Sequence, residues 1–191
     1  MLVLFEPGVA SFAERVLAGA LRAGTKAVAS TFDAALPHRL LGWDLVIVGA
    51  PAAVLAGPEL GRRTNHQQLT TSGAPSLRSW LRALPSPATS GLTSRRAAEA
   101  PYIAPFDVRV SRGPRHPSTS SNVVARVARG RGYELATLPT SFLISAADLT
   151  ASDRELVRAE RWAHGAAHVA WASRAGKRPS WWLSEPVAAA S

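Results

Sequence analysis

One apolar run constrains the fold of this chain more than any other feature. Residues 44–51 are Asp-Leu-Val-Ile-Val-Gly-Ala-Pro, in which four consecutive apolar residues end at Gly49 and then Pro51. Apolar runs of this length, closed by turn-forming residues, are typical of strands buried on both faces. Such strands belong to parallel sheets covered by helices, and ligands in those folds bind beyond the carboxyl ends of the strands. The run therefore predicts a parallel α/β fold with Gly49, Ala50, Pro51 and Ala52 at its functional rim.

The segments before this run alternate between strand and helix patterns. Residues 1–5 are apolar and predict a short strand, which the turn-forming residues 6–8 end. A helical pattern then starts at Ser11 and ends at Gly24, and its predicted buried face consists of Phe12, Val16, Leu17, Ala20 and Leu21. A second short strand is predicted at residues 26–30. This alternation indicates an α/β sheet with right-handed crossovers.

The rest of the chain continues the same alternation. We predict a helix at about 75–84, a strand within 102–110, a helix around 123–128, a strand within 133–144 and a last helix from 152 to about 172. In the fourth strand Phe106, Val108 and Val110 alternate with Asp107 and Arg109. The last helix opens with a capping box, Ser152 at the N-cap and Glu155 three residues later.

Length and composition place the chain among ordinary globular proteins. A length of 191 residues suits one domain, here 1–172 with an expected mobile loop at 86–100, followed by a Trp-containing tail at 173–191. No run approaches the roughly 20 apolar residues of a membrane span, and the first residues do not resemble a signal peptide. We therefore expect a cytoplasmic protein.

The charge and the absence of cysteine narrow the possible chemistry. The sequence contains no cysteine, which excludes disulfides, thiol nucleophiles and thiolate metal sites. The net charge is +9, and only Lys26 and Lys177 among the 22 basic residues are lysine. Arginine binds carboxylates and phosphates in a bidentate manner, so an acidic partner is compatible with this composition. The basic residues form no block or aromatic-interleaved ladder that would indicate a nucleic-acid interface.

Other constellations indicate no defined chemistry. Glu160, His164 and His168 have the helical spacing of metal ligands, but a solvated helix edge explains the pattern without a fourth ligand. The chain contains no nucleophile elbow, no complete phosphate loop and no dinucleotide fingerprint. We predict neither a metal nor a hydrolytic site.

The order of these segments resembles the flavodoxin-like family, in particular the small flavodoxin-domain proteins of high-GC bacteria. Four stretches carry the resemblance in the family's order, namely Leu2–Glu6, Asp44–Pro51, Leu77–Pro85 and Phe106–Val110. Residues 132–144 and the helix at 155–163 are also similar, so the match covers roughly residues 1–170. The resemblance implies a five-stranded parallel sheet in order 2-1-3-4-5, with helices on both faces in a three-layer sandwich.

The resemblance also implies electron transfer with flavin mononucleotide (FMN) as cofactor. Three loops beyond the strands would hold FMN, and their residues are Pro7, Gly8 and Ser11 in the first, Gly49, Ala50, Pro51 and Ala52 in the second, and Ser111, Arg112, Gly113 and His116 in the third. Family members bind the phosphate with a Ser/Thr-rich loop that ends in Gly-Asn-Thr, because backbone N–H groups and a helix N-terminus stabilise a dianion.

This chain departs from the family pattern in all three loops. Its first loop is about three residues shorter, Pro7 removes one donor, and Glu6 lies beside the expected phosphate position. The second and third loops lack the aromatic residue that would cover the flavin ring. A second hypothesis is therefore a cofactor-free binding or assembly module. It would dock an acidic protein through Arg112 and Arg115 and through Trp181 and Trp182.

Overall fold

A computed structural model describes residues 1–35, 37–40, 42–52, 77–87, 100–111 and 119–176. The described elements are β1 (Leu2–Phe5), α1 (Ala10–Arg22), β2 (Val28–Thr31), β3 (Leu45–Pro51), α2 (Leu77–Ala83), β4 (Tyr102–Val110), α3 (Ser120–Gly130), β5 (Thr140–Ile144) and α4 (Asp153–Arg174). Short 3-10 turns at Pro7–Val9 and Pro37–Leu40 connect some of them. None of the described helices combines the length and apolarity needed to cross a membrane.

The strands form one five-stranded sheet in the order β2-β1-β3-β4-β5, and every neighbouring pair is parallel. This confirms the fold class and strand order predicted from the sequence. Because the strands are parallel, their carboxyl ends all lie at one edge of the sheet, and the first reversal of strand order falls between β1 and β3.

Strand β3 is the centre of the sheet, as its apolar run predicts. All seven of its residues are buried, and the strand continues to Pro51 rather than ending at Gly49. Gly49 pairs with Phe106 of β4, and a Cβ on Gly49 would lie 2.1 Å from the Cζ atom of Phe106. Only glycine leaves room for this ring, so Gly49 has a packing role inside the sheet.

Alternate residues of the strands face two separate apolar clusters. On one face α1 and α4 cover residues such as Val3, Ile47 and Phe106. On the other face α2 and α3 cover Leu4, Val48 and neighbouring residues. These two layers of helices and the sheet between them form the expected three-layer sandwich.

The two helices of the first face are in unusually close contact. A Cβ on Gly19 of α1 would lie 2.1 Å from the carbonyl oxygen of Glu160 in α4, so the backbones touch there. The buried carboxylate of Glu160 pairs with Arg22, and Arg15 approaches the same group at 3.9 Å. Small residues and a bridging ion pair thus hold α1 against α4.

Three sequence expectations need correction or adjustment. Leu21 is 52% exposed rather than buried, because it follows Phe12 by nine residues, about two and a half helical turns, and so points away from the sheet. Asp107 is fully buried, although it alternates with apolar residues as a solvent-facing residue would. The last helix continues to Arg174, two residues beyond its predicted end.

The second strand, predicted at 26–30, lies at Val28–Thr31, and only half of the predicted capping box forms. The N-cap of α4 is Ser152, whose side chain accepts a hydrogen bond from the backbone N–H of Glu155 at 3.3 Å. The Glu155 carboxylate does not complete the box but accepts the N–H of Leu143 in β5 at 2.8 Å. Arg158 donates to the carbonyl of Ser141, so α4 side chains occupy the outer edge of β5.

Candidate functional site at the carboxyl edge of the sheet

The turn after β1 and the end of β3 form the part of the carboxyl edge at which strand order reverses. The backbone N–H of Glu6 donates to the carbonyl of Gly49 at 3.1 Å, which fixes the exit of β1 against β3. On the other side of β3, the N–H of Ala52 donates to the carbonyl of Val108 at 2.9 Å. The edge is therefore built by β1, β3 and β4 together, where a parallel α/β fold binds its ligand.

Two backbone N–H groups at the turn after β1 form hydrogen bonds within the turn. The N–H of Val9 donates to the carbonyl of Glu6 at 3.0 Å, and the N–H of Ala10 donates to the carbonyl of Pro7. Pro7 has no N–H. Helix α1 starts directly from this turn, and no side chain among the described residues caps it. Since no described side chain caps α1, N–H groups of its first turn remain open to a ligand.

Glu6 is the most distinctive side chain of this turn. It is 9% exposed, and its Oε1 atom accepts the backbone N–H of Leu77, the first described residue of α2, at 3.2 Å. Burial raises the pKa of the Glu6 carboxyl, and the hydrogen bond from Leu77 opposes part of that rise. A carboxyl group therefore lies in the edge next to the turn that precedes α1.

A second buried carboxylate stands at the start of α3. Oδ2 of Asp107 accepts the Ser121 hydroxyl at 2.5 Å and the Ser121 backbone N–H at 3.0 Å. The neighbouring Ser120 hydroxyl donates to the carbonyls of Pro51 at 2.7 Å and Ala52 at 3.1 Å. Asp107 thus acts as a cap that another element, strand β4, supplies to α3. The other oxygen, Oδ1, has no hydrogen-bond partner among the described residues.

Sequence reasoning missed Asp107, Ser120 and Ser121 as parts of this edge. The pair of hydroxyl residues immediately before the helix pattern was the available signal, since such residues favour helix starts. No sequence signal indicated that their partner would be a strand residue.

The predicted cofactor residues that the structure describes lie either at the surface of this edge or buried within β3. Pro7 and Ser11 are exposed, while Gly8 and Ala52 are half-buried at the rim. Ser111 is also exposed, and its N–H donates to the carbonyl of Ile144 at 2.9 Å. The remaining residues of the second loop, Gly49, Ala50 and Pro51, are buried within β3. Arg112, Gly113, Arg115, His116, Trp181 and Trp182 lie outside the described residues, as does most of the predicted mobile loop.

These contacts test whether the edge suits FMN. A phosphate dianion needs converging backbone N–H groups, hydroxyls or positive charge at the start of α1. The described turn has a proline without an N–H and two N–H groups already bonded within the turn. It also has the uncapped start of α1 and the exposed hydroxyl of Ser11, both of which can donate to a phosphate. A phosphate at this turn would therefore depend on backbone and hydroxyl donors, since residues 6–11 include no basic side chain.

The residues that had the spacing of metal ligands lie elsewhere. His164 and His168 approach each other at 3.3 Å between their Nε2 atoms on the outer side of α4. Glu160 faces α1 and pairs with Arg22 instead. Among the described residues no three His, Asp or Glu side chains are grouped to hold a metal ion.

A cavity of about 490 Å³ lies at the opposite end of the sheet. Trp43 and Trp171 line it, and an ion pair between Asp44 and Arg174, 2.9 Å between Oδ1 and Nε, also borders it. It adjoins the amino end of β3, so it is not the crevice that the topology assigns to a ligand.

No protein-family model and no curated protein sequence matches the chain. Solved structures do resemble it. Oxidised Flavodoxin 2 from Bacillus cereus is 11% identical and aligns with a TM-score of 0.56 over 87% of this chain and 97% of its own length. The Streptococcus pneumonia TIGR4 flavodoxin is 13% identical, with a TM-score of 0.55 over 87% of this chain and 97% of its own.

A longer protein contains a similar unit. The flavodiiron protein from Giardia intestinalis is 13% identical and has a TM-score of 0.58 over 93% of this chain, which corresponds to 37% of that protein. At these identities the likeness concerns the fold alone. Strand order, layers and structural neighbours agree that this chain has the flavodoxin-like fold.

Proposed function

We propose that this chain is an electron-transfer domain that holds a flavin at the carboxyl edge of its sheet. The observation that carries this proposal is the sheet order β2-β1-β3-β4-β5, which creates a crevice at the β1/β3 reversal. Flavodoxin, which has the same strand order, holds FMN at this reversal. We propose the cytoplasm as the compartment of the chain and residues 1–172 as the flavin-binding unit.

Structural neighbours support a redox role. They include an oxidised flavodoxin and the two-electron reduced flavodoxin of Megasphaera elsdenii, which is 12% identical and has a TM-score of 0.50 over 88% of this chain. A bound flavin would supply the redox chemistry itself. The part of this chain would be to bind the ring, orient it and limit its exposure to water.

Residues at the rim have defined parts in this proposal. Gly8 and Ala52 are half-buried and small, so a flat ring can approach the backbone of both loops. Ser111, exposed beyond β4, can hydrogen-bond a polar edge of the ring. Gly49, Ala50 and Pro51 support the rim from within β3.

The cofactor-free module is the alternative function. It depends on Arg112, Arg115, Trp181 and Trp182, which lie outside the described residues, so no described contact favours it. We therefore retain flavin binding as the proposal and treat the module as the outcome that remains if flavin binding fails.

A titration of the purified chain tests the proposal. Flavin fluorescence and the melting temperature would be followed together as FMN or riboflavin is added. A flavin at about a hundred times its Kd that binds only the folded state adds about 2.7 kcal/mol to the free energy of unfolding. Saturable quenching with a rise in melting temperature is the expected result. No response to either flavin at high micromolar concentration rejects flavin binding.

A further inference from the structure

We infer that His164 and His168 form a binding site for a divalent transition metal ion that prefers imidazole nitrogen, such as Zn²⁺. The two residues lie one turn apart on the outer side of α4. The inference is independent of flavin binding, because the last turns of α4 border the cavity at the amino end of the sheet. Sequence spacing alone does not carry it, since spacing does not give the distance between two ring nitrogens.

The first argument is that distance. The Nε2 atoms of His164 and His168 are 3.3 Å apart, so the two rings converge on one point beside the helix. Zinc binds histidine nitrogen at about 2.0–2.1 Å, and two tetrahedral ligands at that distance are about 3.3–3.4 Å from each other. The pair therefore already has the separation that a zinc ion between the two rings requires, with no change in the helix.

The second argument is the chemistry of the two rings. When both rings are neutral, the Nε2–H of one donates to the Nε2 atom of the other. If the donor ring carries its proton on Nδ1 instead, both Nε2 lone pairs are available to the same ion. A metal ion can thus replace the shared hydrogen bond through a change of tautomer, and neither neutral ring has to lose a proton.

The surroundings of the pair determine the kind of site. Glu160 lies one turn before His164, but its carboxylate faces α1 and pairs with Arg22. In the part of the chain that the structure describes, no third His, Asp or Glu joins the two rings. The other coordination positions are therefore open to water or to a ligand from solution. We expect an exchangeable ion at this site.

The ligand type also determines which ions bind. Imidazole suits Zn²⁺, Cu²⁺ and Ni²⁺, whereas Mg²⁺ and Ca²⁺ prefer oxygen ligands. Between two ions bound by the same ligands, Cu²⁺ binds more tightly than Zn²⁺. The site should therefore follow this order and ignore Mg²⁺.

Calorimetric titration of the full chain, prepared without a polyhistidine tag, tests the inference with zinc, copper and magnesium chlorides. We expect saturable binding of one Zn²⁺ ion per chain, tighter binding of Cu²⁺ and no binding of Mg²⁺. Zn²⁺ should also raise the melting temperature, because the unfolded chain loses the helical spacing that brings the two rings together. The absence of saturable Zn²⁺ binding at millimolar concentration would overturn the inference.

Three variants locate the site. His164→Gln and His168→Gln each remove one ring from the outer side of α4, and each should weaken Zn²⁺ binding at least about tenfold. The matched control combines His168→Gln with Gly165→His, which keeps the number of histidines. A Cβ on Gly165 meets no atom within 4 Å, so the helix accepts the new ring. Neighbouring residues on a helix do not face each other, so this control should bind as weakly as His168→Gln.

Two results with these variants would contradict the inference. Zn²⁺ binding at the parent affinity in the control variant would show that the convergence of the two rings has no role. A loss confined to one of the two single variants would show that one ring alone holds the ion.

Discussion

The helices on the two faces of the sheet begin in different ways. On one face, α2 and α3 each have a first-turn N–H bound by a carboxylate of a distant residue, Glu6 for α2 and Asp107 for α3. On the other face, α4 has its own Ser152 as N-cap, and α1 continues from a 3-10 turn without a side-chain cap from any described residue. Thus α2 and α3, in one helix layer, begin at caps from distant residues, whereas α1 and α4, in the other layer, begin without them.

This difference bears on the candidate site. Both long-range caps come from residues at the carboxyl edge, so the side chains that start α2 and α3 also border the crevice proposed for the flavin. The local cap Ser152 lies away from that crevice. Substitutions that remove the acceptor of a long-range cap should change stability more than those that remove a local acceptor.

The largest effect is expected for Asp107→Ala. It removes the acceptor of two hydrogen bonds and leaves the Ser121 hydroxyl and N–H buried without it. A buried donor left without a partner costs about 1–3 kcal/mol, so we expect a loss of about 3 kcal/mol in the free energy of unfolding. Urea denaturation measures it. The control Glu14→Ala, on an exposed helix surface, should change stability by less than about 0.5 kcal/mol. A similar loss in both variants would remove the distinction between the two kinds of helix start.

Ser121→Ala should have an intermediate effect. The variant keeps the backbone N–H to Asp107 but loses the 2.5 Å hydroxyl bond, at a cost of about 2 kcal/mol. Ser11→Ala is a matched control, since Ser11 is likewise the second residue of its helix but is exposed. The melting temperature of Ser11→Ala should equal that of the parent chain, and that of Ser121→Ala should be lower. A loss confined to Ser11→Ala would contradict the long-range cap at α3.

Ser152→Ala tests the local cap of α4. It removes the acceptor of the Glu155 N–H, and N-cap substitutions of this type cost about 1 kcal/mol. In denaturant unfolding, Ser152→Ala should lose less free energy of unfolding than Asp107→Ala. A loss greater than that of Asp107→Ala would reverse the ranking of the two kinds of cap.

Glu6→Gln should have the smallest effect on stability, and that effect should depend on pH. Burial raises the pKa of Glu6 in the folded chain, so between its unfolded and folded pKa values the folded state binds more protons. The contribution of this group to stability is therefore fully present below the unfolded pKa and is lost as pH rises through the folded pKa. Glutamine does not ionise and can still accept the Leu77 N–H.

Unfolding curves of the parent chain and Glu6→Gln from acidic to neutral pH measure this effect. The variant should gain stability relative to the parent as pH rises through that window. A stability difference independent of pH would show that the carboxyl group of Glu6 titrates alike in the folded and unfolded chain.

Local sequence signals predicted most of the fold. The apolar run at 44–51, the alternation of elements and the N-cap at Ser152 each depend on residues near in sequence, and the structure contains all three. The cap at Ser152 lies three residues from its partner. The parallel sheet then follows from the regular alternation of strands and helices, whereas its strand order 2-1-3-4-5 was implied by the resemblance to the flavodoxin-like family.

The features that the sequence did not indicate depend on distant partners. Glu6 and Leu77 are 71 residues apart, and Asp107 and Ser121 are 14 apart. The alternation of polar and apolar residues in β4 predicted that Asp107 is exposed. This pattern does not indicate that a helix covers the face of β4 on which Asp107 lies. Gly49 has the pattern of a turn residue, whereas its position depends on the ring of Phe106 on the neighbouring strand.

The contact between Gly19 and Glu160 has a consequence for the order of folding during synthesis. The apolar face of α1 is synthesised before α4, which covers it and is made about 140 residues later. At roughly 5–20 residues per second this delay lasts on the order of ten seconds. During that time Phe12 and Val16 lack their final neighbours in α4. The nascent chain would therefore expose the apolar face of α1 until α4 leaves the ribosome. During that period we expect this face to be a binding site for a chaperone.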